Sequence, residues 1–217
     1  MTTGFTTTAQ DLLIIAMDAE PGRSVEHGDF SLALAGAEAI DLIGAGAVTL
    51  DGDRLVPGDR PTAADALLDQ AAESLVREQP YESVDDWLWR RGRGLSAAYL
   101  AALEADGLLS RARRRGVTFR AGRVELADSP ARRDAVDRWV SDEPVLAALA
   151  AAVRIQHHTT DIADTSDTGS GADVPSTGDD AVDTVLAAVY GALTELEALR
   201  QRRAVEQAAF DNIWRGQ

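Results

Sequence analysis

The stretch LALAGAEAIDLI, residues 32–43, decides the fold of this 217-residue chain. Apolar side chains at Leu32, Ala37, Ile40 and Ile43 follow the spacing of one helix face, and much of the remainder is Ala or Gly. This pattern predicts a helix that is buried on one face and has close neighbours. Glycines at positions 44 and 46 are expected to end it.

Working outward from this helix, periodicity and caps predict a mainly α protein. Asp11 and Ser83 are suitable N-caps, and paired apolar runs around Asp51-Gly52-Asp53 predict a β-hairpin over residues 48–56. Further helices are expected at residues 11–17, 63–78, 84–91, 95–105, 130–140, 144–156 and 182–214, and strands at 108–113, 117–120 and 123–126. We therefore expect a single helical, bundle-like domain over residues 1–217 with short β-hairpins. Within it, the Thr-, Asp-, Ser- and Gly-rich residues 157–183 are expected to form a mobile loop.

The charge distribution is uneven along the chain. The net charge is −15, and all 21 cations are arginine. Residues 87–138 nevertheless hold 12 Arg against six acidic residues, a local charge of +6. Such a basic block in an acidic protein is a candidate docking surface for a lipid head group, a nucleic acid or an acidic protein. Arg132, Arg133 and Arg138 in this block are expected to point outward.

The chain lacks the residues that several classes of protein function require. The chain has no Cys, which excludes disulfides, thiolate metal sites and Cys nucleophiles. No secretory signal or membrane-length apolar run is present, so we expect a cytoplasmic protein. His157, His158, Asp161 and Asp164 are metal-ligand residue types, but they fall in the predicted loop and are expected to be solvated. No catalytic triad or phosphate-binding loop is evident either, and we expect no cofactor and no metal.

Two readings of the basic block remain open beside lipid binding. The helix at 95–105 followed by strands with a basic turn has the outline of a winged helix, which grips nucleic acid. That helix carries no Arg, however, and the net charge of −15 would repel a polyanion, so we do not expect a nucleic-acid partner. The other reading is a protein–protein interaction module that meets an acidic protein or a second copy of itself.

In its order of segments, the chain resembles the Golgi phosphoprotein 3 family in its shorter bacterial branch. The resemblance covers roughly residues 11–156. It is carried by Leu12 to Asp18 before Gly22-Arg23, Asp41-Leu42-Ile43 before Val48-Thr49-Leu50, Arg60-Pro61-Thr62 before Leu67-Leu68-Asp69, Ser83-Val84 with Trp87, and Leu103 to Leu109.

This resemblance implies a mostly helical domain without catalytic activity. Eukaryotic members bind phosphatidylinositol 4-phosphate on Golgi membranes and retain glycosyltransferases. Of the four head-group positions of the family, Arg93 keeps its arginine. The others fall on Ser96, on Ala35 and near Glu26.

Arg90, Arg91 and Trp89 lie close to Arg93 in sequence and could rebuild an anion site with it. We therefore expect a non-enzymatic adaptor, peripheral on the inner face of the membrane, that binds an anionic or phosphoinositide lipid head group. The expected site residues are Arg93, Arg90, Arg91, Trp89 and Ser96.

Overall fold

A computed structural model describes residues 7–19, 27–58, 65–111, 124–155 and 175–215. These residues form eight α-helices and two antiparallel two-stranded hairpins, so the predicted mainly α fold is confirmed. The helices are α1 (Thr8–Ala19), α2 (His27–Gly44), α3 (Ala66–Glu73), α4 (Val84–Arg91), α5 (Leu95–Ala105), α6 (Pro130–Val140), α7 (Pro144–Ala152) and α8 (Asp180–Arg215). None of the described helices is long and apolar enough to cross a membrane.

Helix α2, which contains the stretch LALAGAEAIDLI, is the centre of the fold. It contacts α1, α3, α4, α5, α7 and α8, and its apolar side chains are buried in one continuous core. Its small residues allow close approach: a Cβ added to Gly36 would lie 2.4 Å from Val189 Cγ2 of α8. The predicted helix with close neighbours is therefore confirmed, and it is longer than expected at both ends. The prediction that only one face is buried is wrong, because every residue from 30 to 40 is buried by the surrounding helices.

The two hairpins lie at the ends of helices in the core. Strands β1 (Val48–Asp51) and β2 (Arg54–Pro57) pair with Leu50 opposite Leu55, as the turn residues predicted. Strands β3 (Leu109–Arg111) and β4 (Val124–Leu126) pair with Leu109 opposite Leu126. The basic turn and the predicted strand 117–120 between β3 and β4 lie outside the described residues.

The role predicted for Asp11 is wrong. Helix α1 begins at Thr8, and the Thr7 hydroxyl accepts a hydrogen bond from the Gln10 N–H group. Asp11 lies inside the first turn, fully buried, where its carboxylate pairs with Arg138 of α6. Arg138 is correspondingly only about one-third exposed rather than directed outward, because a buried carboxylate requires a cation near it.

Other boundaries differ from the predictions for local reasons. Helix α3 starts at its Asp65 cap, whose carboxylate accepts from the N–H groups of Leu67 and Leu68, and it is shorter than residues 63–78. Most of the predicted loop 157–183 lies outside the described residues, but its last four residues are the first turn of α8. Helix α8 is buried near its start and exposed from Gln201 to Gln207.

Candidate functional site

A cavity of about 380 Å³ lies where α2, α5 and α8 approach one another beside the α4–α5 connection. Its walls combine apolar surface with a few polar groups, an arrangement typical of small-molecule sites. The lining residues are Gly28, Ser31, Leu32, Trp89, Gly92, Arg93, Gly94, Ser96, Ala97 and Leu196.

The α4–α5 connection shapes one side of the cavity. Helix α4 ends at Arg91 with Gly92 as its C-cap, and α5 begins after Gly94, which adopts the left-handed conformation at φ 72°. A side chain is rarely tolerated in that conformation, so glycine permits the sharp reversal between the helices. The reversal leaves Arg93 exposed between the two glycines, at the cavity wall.

A pair of buried serines joins α2 to the start of α5. Ser31 Oγ accepts a hydrogen bond from the Ser96 N–H group at 3.1 Å and donates one to Ser96 Oγ at 3.0 Å. Gly94 offers no side-chain oxygen to cap α5, and the Ser31 hydroxyl supplies one from another helix. The serine pair therefore fixes two walls of the cavity relative to each other.

The electrostatics of the cavity favour an anion. The N-terminal ends of α2 and α5 both contribute lining residues, and helix N-termini carry partial positive charge. Helix α5 has no acidic residue in its first turn, whereas α2 has Asp29 in its own. The exposed guanidinium of Arg93 adds a full positive charge at the same place.

Arg90 lies outside the cavity, bound to the protein itself. Its guanidinium donates to both carboxylate oxygens of Glu82 at 2.6 and 2.7 Å and to the Ser74 carbonyl at 3.2 Å. It also stacks on the Trp87 ring, with Cζ 5.2 Å from the ring centroid. Glu82 raises the pKa of Arg90, first through the hydrogen bond and then through its charge.

Arg91 neutralises a carboxylate in the core. It donates to the two oxygens of fully buried Glu38 at 2.7 and 2.9 Å, and Tyr99 Oη lies 3.1 Å from Glu38 Oε1. Burial raises the pKa of Glu38 despite the hydrogen bond from Arg91. Burial, followed by the nearby Glu38 charge, also raises the pKa of Tyr99, which keeps its hydroxyl as a hydrogen-bond donor. Arg91 thus holds α4 against α2.

The basic block 87–138 does not present all of its charge to solvent. Six of its arginines have described side chains, and five of these form ion pairs with acidic residues of the protein: Arg90, Arg91, Arg132, Arg133 and Arg138. Arg93 is the one among the six without an ion pair to another described residue.

The structure brings together three of the five predicted site residues. Trp89, Arg93 and Ser96 line the cavity, whereas Arg90 and Arg91 do not. Ala35 is fully buried, and its carbonyl accepts from Nε1 of the fully buried Trp87 at 3.0 Å. The position near Glu26 lies outside the described residues.

Sequence reasoning missed the contributions of α2 and α8 to the cavity. Gly28 and Ser31 precede the helix predicted at residues 32–43, Leu196 was an ordinary member of the helix predicted at 182–214, and no local signal marked any of them. For Ser31, the one feature that could have indicated a special role is its position as a polar residue at the start of an otherwise apolar helix.

No potential metal site is formed by the part of the chain that the structure describes. Nowhere in it do three or more His, Cys, Asp or Glu side chains gather closely enough to hold an ion. His157, His158, Asp161 and Asp164 lie outside the described residues.

Comparison with known protein families identifies the chain. A comparison with curated proteins found no match. The model of the Golgi phosphoprotein 3 (GPP34) family matches residues 9–189, which include every described part of the cavity except Leu196. Because that match spans most of the chain, the protein belongs to the Golgi phosphoprotein 3 family.

Proposed function

We propose that this protein is a non-catalytic, peripheral membrane adaptor that binds an anionic lipid head group in the cavity between α2, α5 and α8. Phosphatidylinositol 4-phosphate is one candidate ligand, and the inner face of the cytoplasmic membrane is the expected location. Arg93, Trp89 and Ser96 are the proposed contacts from the predicted set. Arg90 and Arg91 are assigned to holding α4 in place.

The observation that carries the proposal is the position of Arg93. It is an exposed arginine with no ion pair to a described residue, and it lines a cavity that also receives two helix N-termini. Arginine presents a planar set of donors that matches the oxygens of a phosphate. A phosphate beside Arg93 would also gain from the N-terminus of α5, which has no acidic residue in its first turn.

The remaining lining suits the less polar part of a lipid head group. Trp89 is half-buried beside Arg93, and Leu32, Ala97 and Leu196 supply apolar surface. An indole that is partly exposed at a binding surface is well suited to the interface between a membrane and water. The arrangement combines a charged contact for phosphate with an apolar contact for glycerol or inositol carbons.

Vesicle co-sedimentation tests the proposal. We expect binding to phosphatidylcholine vesicles that contain phosphatidylglycerol or phosphatidylinositol 4-phosphate, and none to phosphatidylcholine alone. Arg93→Ala should weaken this binding about fivefold, since an arginine near an anionic surface contributes ~1 kcal/mol. Arg133→Ala is the matched control because Arg133 belongs to the same basic block, is exposed, and lies on α6 away from the cavity.

The results separate the proposal from its alternatives. Equal losses for the Arg93 and Arg133 variants would indicate a diffuse charge effect rather than this cavity. Absence of binding to every vesicle would overturn the lipid proposal. Retardation of random duplex DNA in a gel would favour the nucleic-acid reading, and concentration-dependent self-association without lipid binding would favour the interaction module.

A further inference from the structure

Helix α8 brings a second arginine to the edge of the cavity. Leu196 lines the cavity, and Arg200 follows one helical turn later. A Cβ added to Gly28, another lining residue, would lie 3.3 Å from Leu196 Cδ2 and 3.2 Å from Arg200 Nη2. The Arg200 guanidinium therefore lies beside Gly28 at the start of α2, next to a lining residue but not among the lining residues itself.

In the structure, Arg200 is paired with carboxylates, most closely with Asp29, while Glu197 Oε2 lies 3.9 Å from Nη1. Arg200 Nη1 donates to the two oxygens of Asp29 at 2.8 and 2.9 Å, and both side chains are about one-third exposed. Carboxylate and phosphate oxygens compete for the same guanidinium donors. An ion pair that remains this accessible to solvent is worth little on its own, so exchange of its acidic partner is inexpensive.

We propose that Arg200 is the second cation of the head-group site and that a bound phosphate takes the place of Asp29 beside it. This inference rests on the proposed function and adds a residue from outside the basic block. Arg93 lines the cavity from the α4–α5 connection, and Arg200 lies on α8 beside the lining residue Gly28. A phosphate-bearing head group would then be held between two elements that are far apart in sequence.

Two substitutions that break the same ion pair should have opposite effects on binding. Arg200→Gln removes the cation and should weaken binding to vesicles containing phosphatidylglycerol or phosphatidylinositol 4-phosphate about fivefold, the contribution of one arginine. Asp29→Asn releases the cation from its closer carboxylate and should strengthen binding by a similar factor. A purely structural role for the pair would shift both variants in the same direction.

Matched controls account for the change in net charge. Arg203→Gln removes an exposed cation from the same helix, and Asp134→Asn removes an exposed acid from α6. Both should bind like the wild type. Soluble inositol 1,4-bisphosphate should compete with the vesicles and should show the same order of affinities among the variants, which would assign recognition to the phosphate rather than to the membrane surface.

The inference and the proposed function can fail separately. If Arg93→Ala weakens binding while Arg200→Gln does not, Arg200 is outside the site and the proposed function stands. Weaker binding by both Arg200→Gln and Asp29→Asn would also overturn the inference, because it would show that the pair only supports the packing of α8. If the wild type binds no anionic vesicle, the proposed function itself fails.

Discussion

At the scale of single residues, buried carboxylates account for the ionisation behaviour of the fold. Asp41 lies near the C-terminal end of α2, and one of its oxygens accepts from the Thr8 N–H group at 2.9 Å, at the start of α1. Burial raises the pKa of Asp41 to about 6, and the hydrogen bonds from Thr8 and Ala9 only partly offset this effect. The carboxylate thus joins two core helices but is costly to ionise.

Asp41→Asn should change the dependence of stability on pH. A carboxyl whose pKa is raised in the folded state favours folding most when it is protonated, and it loses that contribution as the pH rises through about 6. Asparagine keeps an acceptor for Thr8 and does not ionise. The stability of the variant relative to the wild type should therefore increase between about pH 4 and pH 7, by at most ~3 kcal/mol.

Denaturant unfolding at several pH values measures this difference directly. Asp134→Asn, which removes an exposed carboxylate from α6, is the control for the loss of one acidic residue. An offset for Asp41→Asn that does not change with pH would contradict the role of burial.

The role of an individual side chain could be predicted from the sequence only where its partner lies a few residues away in the chain. Ser83 caps α4 by accepting from the Asp86 N–H group three residues away, and this was predictable. Arg91 binds Glu38, which is 53 residues distant, so its partner could not be read from its neighbours. The neighbouring arginines at positions 90, 91 and 93 looked like equivalent candidates for the anion site in the sequence. Only their tertiary contacts show that Arg93 is the one at the cavity.

At the scale of elements, the spacing of α2 and α8 depends on a residue without a side chain. Gly36 faces Val189 so closely that a Cβ would lie 2.4 Å from the valine methyl group. Gly191 lies two residues beyond Val189 on α8 and is exposed, and a Cβ added there would have no other atom within 4 Å. Gly36 lies in the contact between α2 and α8, whereas Gly191 lies on the exposed side of α8, so the two glycines can be compared directly.

Gly36→Ala and Gly191→Ala should affect stability in opposite directions. Alanine is favoured over glycine in a helix by ~1 kcal/mol, so Gly191→Ala should stabilise the protein by up to that amount. At Gly36, overpacking against Val189 should outweigh this gain and destabilise the protein by about 1–3 kcal/mol. Denaturant midpoints measure both changes, and stabilisation by Gly36→Ala would show that α8 is not held as closely as described.

At the scale of the whole molecule, the proposed site carries positive charge, whereas the protein as a whole is strongly acidic. The net charge of −15 repels an anionic membrane over long distances, while Arg93 acts only at short range. The mainly α fold and the family were accessible from the sequence because they depend on patterns repeated along most of the chain. The cavity was not, because its walls come from three helices joined by tertiary packing.

These opposing charges predict an unusual dependence on salt. Salt up to about 0.1 M should strengthen binding to anionic vesicles, because it screens the repulsion between the acidic body and the membrane. Higher concentrations should weaken binding as the contact with Arg93 is screened as well. Co-sedimentation across a salt series measures this profile, and a steady fall from the lowest concentration would show that the net charge has no influence at the surface.

The serine pair between α2 and α5 also bears on the order of folding. The oxygen that caps α5 comes from Ser31, 65 residues earlier in the chain, and Gly94 provides no local substitute. Helix nucleation is costly, and a cap that arrives only with tertiary structure cannot assist it. The wall of the cavity that carries Ser96 should therefore become ordered only after α2 is in place, which makes the cavity one of the last parts of the native state to form.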